Sequence, residues 1–189
     1  MTPEEVQARL GLPCAVSGGG DFARVTVDVP VSSWSEVARK ARDVLDCDFF
    51  DWLSAVDELD EGYTVVAHVW SVASRFGLLL RTRLAKSAPT VGSIVDVYPG
   101  ASWHERETHE MFGVDFEGHP GLTPLLLPPE FEGYPMRKDF VLASRVAKDW
   151  PGAKEPGESE HAPTKRQKMR PPGVPDPTEW GPARRPSPS

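Results

Sequence analysis

The chain has 189 residues, of which 39% are apolar and 26% are charged, a composition typical of a globular protein with one hydrophobic core. Its formal net charge of −7 at pH 7 argues against nucleic acid as the main partner, because phosphate backbones attract basic surfaces. No apolar run approaches the roughly 18 residues that cross a membrane, and the acidic segment Met1–Leu10 lacks the apolar core of a signal peptide. These features predict a cytosolic protein.

The two cysteines, Cys14 and Cys47, form no C-x-x-C pair and no other metal-binding spacing. A reducing cytosol also disfavours a disulfide between them. We therefore expect two buried or incidental thiols.

A change of composition near residues 145–151 predicts a boundary. Ten of the twenty prolines follow Trp150, and the net charge changes from −9 over residues 1–147 to +2 over residues 148–189. We expect residues 1–147 to form the folded domain. Residues 148–189 form a proline-rich tail in this interpretation, disordered in isolation and extended over a partner.

The first elements are a short helix and a strand. Thr2 followed by a proline and two glutamates is typical of a helix start, and the helix reaches about Leu10. The glycine run at 18–20 precedes no Gly-Lys-Ser/Thr sequence, which favours a flexible turn over a phosphate loop. Alternating apolar residues then predict a half-buried strand over about 23–29, which Pro30 ends.

An amphipathic helix is predicted next, because apolar residues recur at helical spacing between Trp34 and Leu45. Ser33 and Glu36 have the spacing of a capping box, in which each side chain accepts a hydrogen bond from an unpaired backbone N–H.

Three β-prone runs follow over Phe49–Asp57, Tyr63–Ser71 and Phe76–Leu84, and their short connections allow only an antiparallel meander. The order β-α-β-β-β predicts an α+β fold, with an antiparallel or mixed sheet and helices on one face. We expect His68 to be a hydrogen-bonded sheet residue rather than a metal ligand. A short helix is predicted around Val91–Val95.

The stretch 103–140 has the highest density of charged, glycine, proline and aromatic residues. A helix is predicted over Trp103–Phe112, closed by Gly113. His104 and His109 suggest a zinc-binding helix, but they are five residues apart, so they diverge by about 140° around the helix. Two ligands on one helix require a spacing of four. The spacing therefore argues against zinc.

The charges of this helix allow two interpretations. They form either a solvated face or a network that pairs internally or docks a partner, because apolar residues flank them. The residues that follow, Val114–Phe140, are interrupted by glycine and proline throughout and remain rich in apolar side chains. We expect this strap to lie against its own domain or another chain, with the charge cluster at 137–139 suited to docking.

No arrangement for nucleophilic catalysis emerges from the spacing. Ser102 lies in no glycine-framed turn, and neither cysteine has an adjacent base. A stand-alone hydrolase that uses Glu105, His104 and His109 remains an alternative, which activity or bound metal in the purified chain would support.

Two motifs in this stretch carry a family resemblance. The sequence E-R-E-x-x-x-M-F-G-V-x-F-x-G-H-P-x-L and, further on, F-E-G-Y-P-M-R-K-D-F closely resemble the signature of the thirty-kilodalton subunit, or C subunit, of NADH:quinone oxidoreductase (respiratory complex I). The resemblance extends over about Phe22–Phe140, and the proline-rich tail is similar to that of actinobacterial members. Departures include Glu110 in place of the usual aspartate, the sequence at 121–124, and Tyr134 in place of the usual histidine.

The resemblance implies a peripheral-arm subunit without its own active site or cofactor, on the cytoplasmic side of the membrane. Its partners are subunits D and B, and the complex uses FMN, iron–sulfur clusters and quinone to couple electron transfer to proton translocation. An alternative is the equivalent subunit of a membrane-bound hydrogenase or of a related complex with another electron donor. Motif positions expected to shape and dock the interface with the D subunit are Glu105, Arg106, Glu107, Gly118, His119, Pro120, Arg137, Lys138 and Asp139.

Overall fold

The computed structural model describes residues 1–140, so the predicted tail over 148–189 lies outside the described residues. Three α-helices and seven strands occur in this part of the chain: α1 (Pro3–Leu10), β1 (Cys14–Ser17), β2 (Arg24–Asp28), α2 (Trp34–Leu45), β3 (Phe49–Asp57), β4 (Tyr63–Ser71), β5 (Phe76–Leu84), β6 (Thr90–Gly92), α3 (Ala101–Phe112) and β7 (Asp115–Glu117). No helix within residues 1–140 is long and apolar enough to span a membrane.

The main sheet has five strands in the order β1-β2-β5-β4-β3. β3, β4 and β5 form the predicted antiparallel meander, and their bounds match the prediction. β2 pairs with β5 in parallel, from Val25 opposite Leu78 to Asp28 opposite Arg81. This parallel pair requires a crossover, which α2 and the meander provide. The α+β fold with a mixed sheet is therefore confirmed.

The outermost strand, β1, was not predicted. It pairs with β2 antiparallel over four residues, from Cys14 opposite Val27 to Ser17 opposite Arg24. Proline and glycine flank it closely, and Ala15 and Val16 are both exposed, so the strand shows no alternation of buried and exposed residues.

Helix α2 occupies the predicted bounds, but the capping box predicted at Ser33 is wrong. The Ser33 side chain makes no capping hydrogen bond, and its backbone (φ −109°, ψ 3°) departs from the extended geometry of a capping residue. A 3₁₀ turn over Val31–Ser33 leads into the helix, and Glu36 pairs with Lys40 at 2.8 Å instead of reaching back. A capping box does occur on α1, where Thr2 and Glu5 bond each other's backbone N–H.

The core lies between the helical layer and one face of the sheet. The buried residues Trp34, Val37, Ala38, Ala41 and Leu45 form one stripe of α2. They share a single cluster with Val6 and Leu10 of α1 and with alternate residues of the strands, including Val65, Ala67 and Val69 of β4. Burial of this apolar area is the main source of stability.

The helix predicted around Val91–Val95 is wrong. Thr90–Gly92 form β6, which pairs in parallel with β7, and the backbone then turns through Ile94–Tyr98. The segment is held by distant groups, since Ser93 donates its N–H to the Glu117 carbonyl at 2.8 Å and Ile94 donates to the Glu105 carboxylate at 2.7 Å. A local pattern of apolar residues cannot reveal such long-range pairing.

The interpretation of His68 as a hydrogen-bonded sheet residue is confirmed. Its ring lies between Trp52 and Trp70, and its Nδ1 is 2.8 Å from the Asp51 carboxylate. Both cysteines are free thiols, and burial next to aspartates raises the pKa of the Cys47 thiol to about 12. This thiol is therefore unreactive at neutral pH.

Candidate functional site

Helix α3 organises the candidate site. Gly113 ends the helix in the left-handed conformation (φ 71°), and its N–H bonds to the His109 carbonyl at 2.8 Å, as the sequence predicted. One side of α3 packs along β3, an edge strand of the sheet. Nδ1 of His104 lies 3.2 Å from the Leu53 carbonyl and 3.4 Å from its N–H, so this ring covers an unpaired part of the strand.

The two histidines of α3 diverge, as the spacing indicated. Nδ1 of His109 lies 3.0 Å from the Val114 carbonyl and 3.2 Å from the Asp115 carboxylate, at the helix end, whereas His104 contacts β3. Within residues 1–140, no group of His, Cys, Asp and Glu side chains is arranged to hold a metal ion.

The strap, defined here as residues 118–140, is held to α3 by residues that lie four positions apart on the helix. The first is Ser102, whose carbonyl lies 3.2 Å from Nε2 of His119. Nδ1 of the same ring accepts the Gly121 N–H at 2.9 Å, so Nε2 carries the proton. Although Ser102 Oγ is 3.3 Å from Nε2, a protonated Nε2 cannot act as a base toward this hydroxyl.

The second is Arg106, which binds the strap backbone with two parallel hydrogen bonds. Its Nε donates to the Thr123 carbonyl at 2.9 Å and its Nη2 to the Pro124 carbonyl at 2.8 Å. The guanidinium also lies 5.2 Å from the ring centre of Trp103. A planar guanidinium suits both contacts, which a lysine could not reproduce.

The third is Glu110, whose carboxylate accepts three consecutive backbone N–H groups. Leu125 donates at 3.2 Å, and Leu126 and Leu127 donate at 2.8 Å. Desolvation opposes ionisation, but these donors and the nearby Arg106 outweigh it, so the pKa of Glu110 lies below its ordinary value. Glu110 is therefore ionised when it binds the backbone of Leu125–Leu127 in the strap.

Arg137 returns the end of the strap to the helix terminus. Its Nε donates to the Phe112 carbonyl at 2.6 Å, and its guanidinium lies 4.0 Å from the ring centre of Tyr134. A Cβ on Gly113 would come within 2.3 Å of Arg137 Nη2 and 2.6 Å of the Tyr134 ring. Glycine is thus required at this position both by its backbone conformation and by the close packing.

Asp57 holds the same part of the strap to β3. Its carboxylate accepts the N–H of Lys138 and the N–H of Leu59, each at 2.8 Å. The hydrogen bond from Lys138 lowers the pKa of Asp57 most, although desolvation opposes it. Lys86 and Asp139 add a long ion pair of 3.9 Å between exposed side chains, which contributes little.

Glu105 points inward, unlike the other predicted site residues. It is fully buried, with one carboxylate oxygen accepting the Ile94 N–H at 2.7 Å and the other the Ser93 hydroxyl at 2.6 Å. Desolvation raises the pKa of Glu105 to about 7 despite these two hydrogen bonds. Glu105 shapes the segment that precedes α3, and its side chain is not available at the surface to dock a partner.

The remaining predicted residues lie at the surface. Arg106, His119 and Arg137 are half-buried because they bind the strap or the helix, and the exposed ones are Glu107, Gly118, Pro120, Lys138 and Asp139. Glu110 and Asp57 are the contributors that sequence reasoning missed. Glu110 stood out as a departure from the family motif, whereas nothing in the sequence marks Asp57.

The outer side of this region carries exposed apolar side chains. The most exposed are Trp103 at 61%, Leu126 at 59% and Met136 at 56%, with Phe131 and Tyr134 next to them in the strap. Part of α3 is buried, including Phe112, but Trp103 is not. The strap backbone lies against its own domain while these apolar side chains remain outside, an arrangement typical of a binding surface.

Comparisons with known proteins identify the family of the chain. The family model described as "Respiratory-chain NADH dehydrogenase, 30 Kd subunit" matches residues 27–146. A relative from Roseiflexus castenholzii, named as the C subunit of NADH-quinone oxidoreductase, is 39% identical over 146 residues, which are 74% of this chain and 84% of the relative. One from Methylococcus capsulatus, named as the C/D subunit, is 35% identical over 157 residues, covering 73% of this chain and 27% of the relative.

Two solved structures share the fold. The trypsin-resistant fragment (1–134) of Nqo5 gives a TM-score of 0.52 at 24% identity, over 62% of this chain and 94% of that one. A chain of the archaeal membrane-bound sulfane sulfur reductase, a respiratory membrane complex, gives a TM-score of 0.61 at 23% identity. The match covers 80% of this chain and 94% of that one. From the match over residues 27–146 and the identity to the Roseiflexus relative, the chain belongs to the family of the 30 kDa subunit of respiratory-chain NADH dehydrogenase, the C subunit of NADH-quinone oxidoreductase.

Proposed function

We propose that this chain is a cofactor-free peripheral-arm subunit that docks subunits D and B and so helps to form the quinone-reducing module. The complex passes electrons from NADH through FMN and iron–sulfur clusters to quinone and couples this transfer to proton translocation. The chain reaches the cytoplasmic side of the membrane only through its partners. The observation that carries the proposal is a strap whose backbone is fastened to α3 and whose apolar side chains face outward.

The chemistry of the outer surface supports docking rather than catalysis. The surface combines exposed apolar side chains with the charged residues Glu107, Lys138 and Asp139, a mixture that protein interfaces also have. The strap backbone is already ordered by side-chain hydrogen bonds, so binding costs little conformational entropy. The surface therefore suits a permanent partner.

The D subunit is favoured as the main partner because the relative from Methylococcus capsulatus carries the name C/D. That name joins C and D in one protein, and fused subunits are commonly neighbours in the assembled complex. In this proposal Arg106, His119 and Arg137 hold the docking surface in shape, and Glu105 fixes the segment behind it. The exposed residues Glu107, Gly118, Pro120, Lys138 and Asp139 meet the partner directly.

The test is assembly of the complex with variants on the outer surface. Leu126→Asp is expected to reduce co-purification with the D subunit at least about tenfold, because it places a charge in a desolvated interface. Val72→Asp is the matched control, since Val72 is 60% exposed and lies between β4 and β5, at the opposite end of these strands from Tyr63, which Arg137 of the strap contacts.

Arg137→Ala distinguishes a docking role from a catalytic role, because it removes the hydrogen bond between the strap and the end of α3. We expect it to impair assembly. A variant complex that assembles fully and reduces its iron–sulfur clusters normally, yet loses turnover, would contradict the docking proposal.

A second candidate is the equivalent subunit of a related membrane complex with another electron donor, such as a membrane-bound hydrogenase. It is favoured by the shared fold with a chain of the sulfane sulfur reductase complex. The two candidates differ only in the subunits that take electrons from the donor. Mass spectrometry of the co-purified subunits, with NADH or reduced ferredoxin as donor, distinguishes them.

A further inference from the structure

A small cavity opens between the end of α3 and the strap, on the surface that is proposed to dock a partner. Its volume is about 220 Å³, and apolar side chains of the strap form most of its wall: Leu122, Leu127, Pro128, Phe131 and Tyr134. Pockets for cofactors and other small molecules usually measure about 300–1,000 Å³, whereas a cavity of about 150 Å³ accommodates benzene. The cavity therefore fits one substituted aromatic ring and is too small for a nucleotide.

Two polar residues of α3, His109 and Glu110, line the same cavity. The oxygens of Glu110 already accept three backbone N–H groups, and Arg106 lies close enough to balance its charge. A cationic ligand would therefore gain little from this carboxylate, and an anionic ligand would be repelled by it.

His109 supplies the polar atom that remains available. Its Nδ1 lies within hydrogen-bond distance of two acceptors, the Val114 carbonyl and the Asp115 carboxylate, so Nδ1 carries the proton. In the uncharged tautomer with the proton on Nδ1, Nε2 is an acceptor, and within residues 1–140 this nitrogen has no hydrogen-bond partner. The lining of the cavity thus includes apolar side chains and a histidine with a free acceptor, a combination that selects an aromatic group that carries a donor.

The walls of the cavity are formed before any partner binds. Glu110 holds the backbone at Leu125–Leu127, and Arg106 holds the carbonyls of Thr123 and Pro124. Phe131 stacks on Phe140 with ring centres 5.8 Å apart. A preformed pocket inside a larger interface is the usual site of the residues that dominate binding, among which tyrosine and tryptophan are enriched.

We propose that this cavity receives one tyrosine or tryptophan side chain of the docked partner subunit, with its hydroxyl or indole N–H donated to Nε2 of His109. The inference rests on the proposed docking function and adds the chemistry that the partner must present. It assigns His109, which is absent from the predicted interface residues, a direct part in partner recognition.

The first test uses side-chain analogues with the full chain in solution. Histidine ¹⁵N resonances are followed by NMR during titration with p-cresol, 3-methylindole or toluene. We expect p-cresol or 3-methylindole to shift Nε2 of His109 and to bind roughly fivefold more tightly than toluene, the effect of one neutral hydrogen bond. In His109→Asn, which retains a donor near the Nδ1 position, this preference is expected to disappear. No binding, or equal binding of toluene, overturns the proposal.

The second test places a large side chain of this protein in the cavity. Thr123 lines the cavity, and its contribution to the contact with Arg106 is its carbonyl, so Thr123→Trp leaves that contact in place. The variant is expected to retain its thermal stability and to lower co-purification with the partner at least about tenfold. Val72→Trp, at an exposed position between β4 and β5, is the control.

The outcomes separate the two proposals. Normal assembly of Thr123→Trp together with failed assembly of Leu126→Asp overturns the cavity proposal and supports docking by the outer surface. Normal assembly of both variants overturns both proposals.

Discussion

The carboxylate of Glu110 accepts the N–H of Leu126 at 2.8 Å and also the N–H groups of the residues on either side, Leu125 and Leu127. One side chain on a regular helix thus determines three consecutive peptide units of an irregular segment. Leu126 is 59% exposed, so the same contact that orders its backbone leaves its side chain available to a partner. Helix α3 therefore fixes the backbone of the exposed strap.

The first prediction concerns this contact. Glu110→Gln replaces two charged acceptor oxygens with one neutral oxygen and an amide donor that opposes the backbone N–H groups. We expect the amides of Leu125–Leu127 to exchange about tenfold to a hundredfold faster, which corresponds to a loss of about 1–3 kcal/mol of local stability. Hydrogen exchange followed by NMR measures the effect. Glu107→Gln, one turn away and exposed, is the control, and equal exchange in both variants would refute the prediction.

The second prediction concerns the end of α3. Gly113→Ala adds a methyl group at φ 71° and directs it against Arg137 and Tyr134, so we expect a loss of about 2 kcal/mol or more in the free energy of unfolding. Gly121→Ala is the matched control, because a Cβ at Gly121 meets no atom within 4 Å. Urea denaturation of both variants provides the measurement. A loss in Gly113→Ala no larger than that in the control would show that the helix end adapts.

The third prediction follows from the burial of Glu105. Its pKa is raised from 4.5 to about 7, so the folded chain binds a proton that the unfolded chain has released between these values. Stability from this residue is therefore greatest at acid pH and falls as pH rises from about 4.5 to 7 and above. Glu105→Gln removes the titration and keeps an acceptor for the Ile94 N–H. We expect the difference in the free energy of unfolding, variant minus wild type, to increase by up to roughly 3 kcal/mol as the pH rises over this range.

The measurement is the free energy of unfolding of both proteins from pH 4 to pH 8. A difference that does not change with pH would show that Glu105 titrates in the folded state as it does in the unfolded state.

The fourth prediction concerns Asp57, whose contribution to stability changes with pH in the opposite direction to that of Glu105. Its pKa is lowered from 3.8, so its stabilising effect is present above the unfolded value and is lost as pH falls through the folded value. We expect the end of the strap to loosen in acid, with faster exchange of the Lys138 amide below about pH 4. Asp57→Asn should show this faster exchange at neutral pH as well, whereas the exposed control Asp60→Asn should not. Slow exchange in Asp57→Asn would contradict the assigned role.

The central strands and α2 could be predicted because their signals are local. β-branched and aromatic runs joined by turns of a few residues determine β3, β4 and β5, and apolar spacing determines Trp34–Leu45. β1 escaped prediction because it is short, lies close to proline and glycine and has no alternation of buried and exposed residues. β6 escaped because it is stabilised by β7, which is distant in sequence. The capping box at Ser33 had the right residue types, but the 3₁₀ turn before it sets a different backbone geometry.

The helix of the candidate site could be located from the sequence, but the direction of its side chains could not. α3 is covered by β3 on one side and by the strap on another, so a charged residue can be internal while an aromatic one is external. Glu105 and Trp103 illustrate this reversal, with exposures of 0% and 61%. Periodicity assumes one buried face, and it fails for a helix that lies between two different neighbours.

The position of His104 against Leu53 has a consequence for the chain before it joins any complex. β3 is an edge strand, and an open edge invites pairing with a strand of another molecule, which leads to aggregation. The imidazole blocks the backbone groups of Leu53, and the irregular pairing between Phe50 and Trp52 further reduces the regularity of this edge. The folded chain therefore protects the edge of its sheet against self-association, although apolar side chains of the strap are exposed.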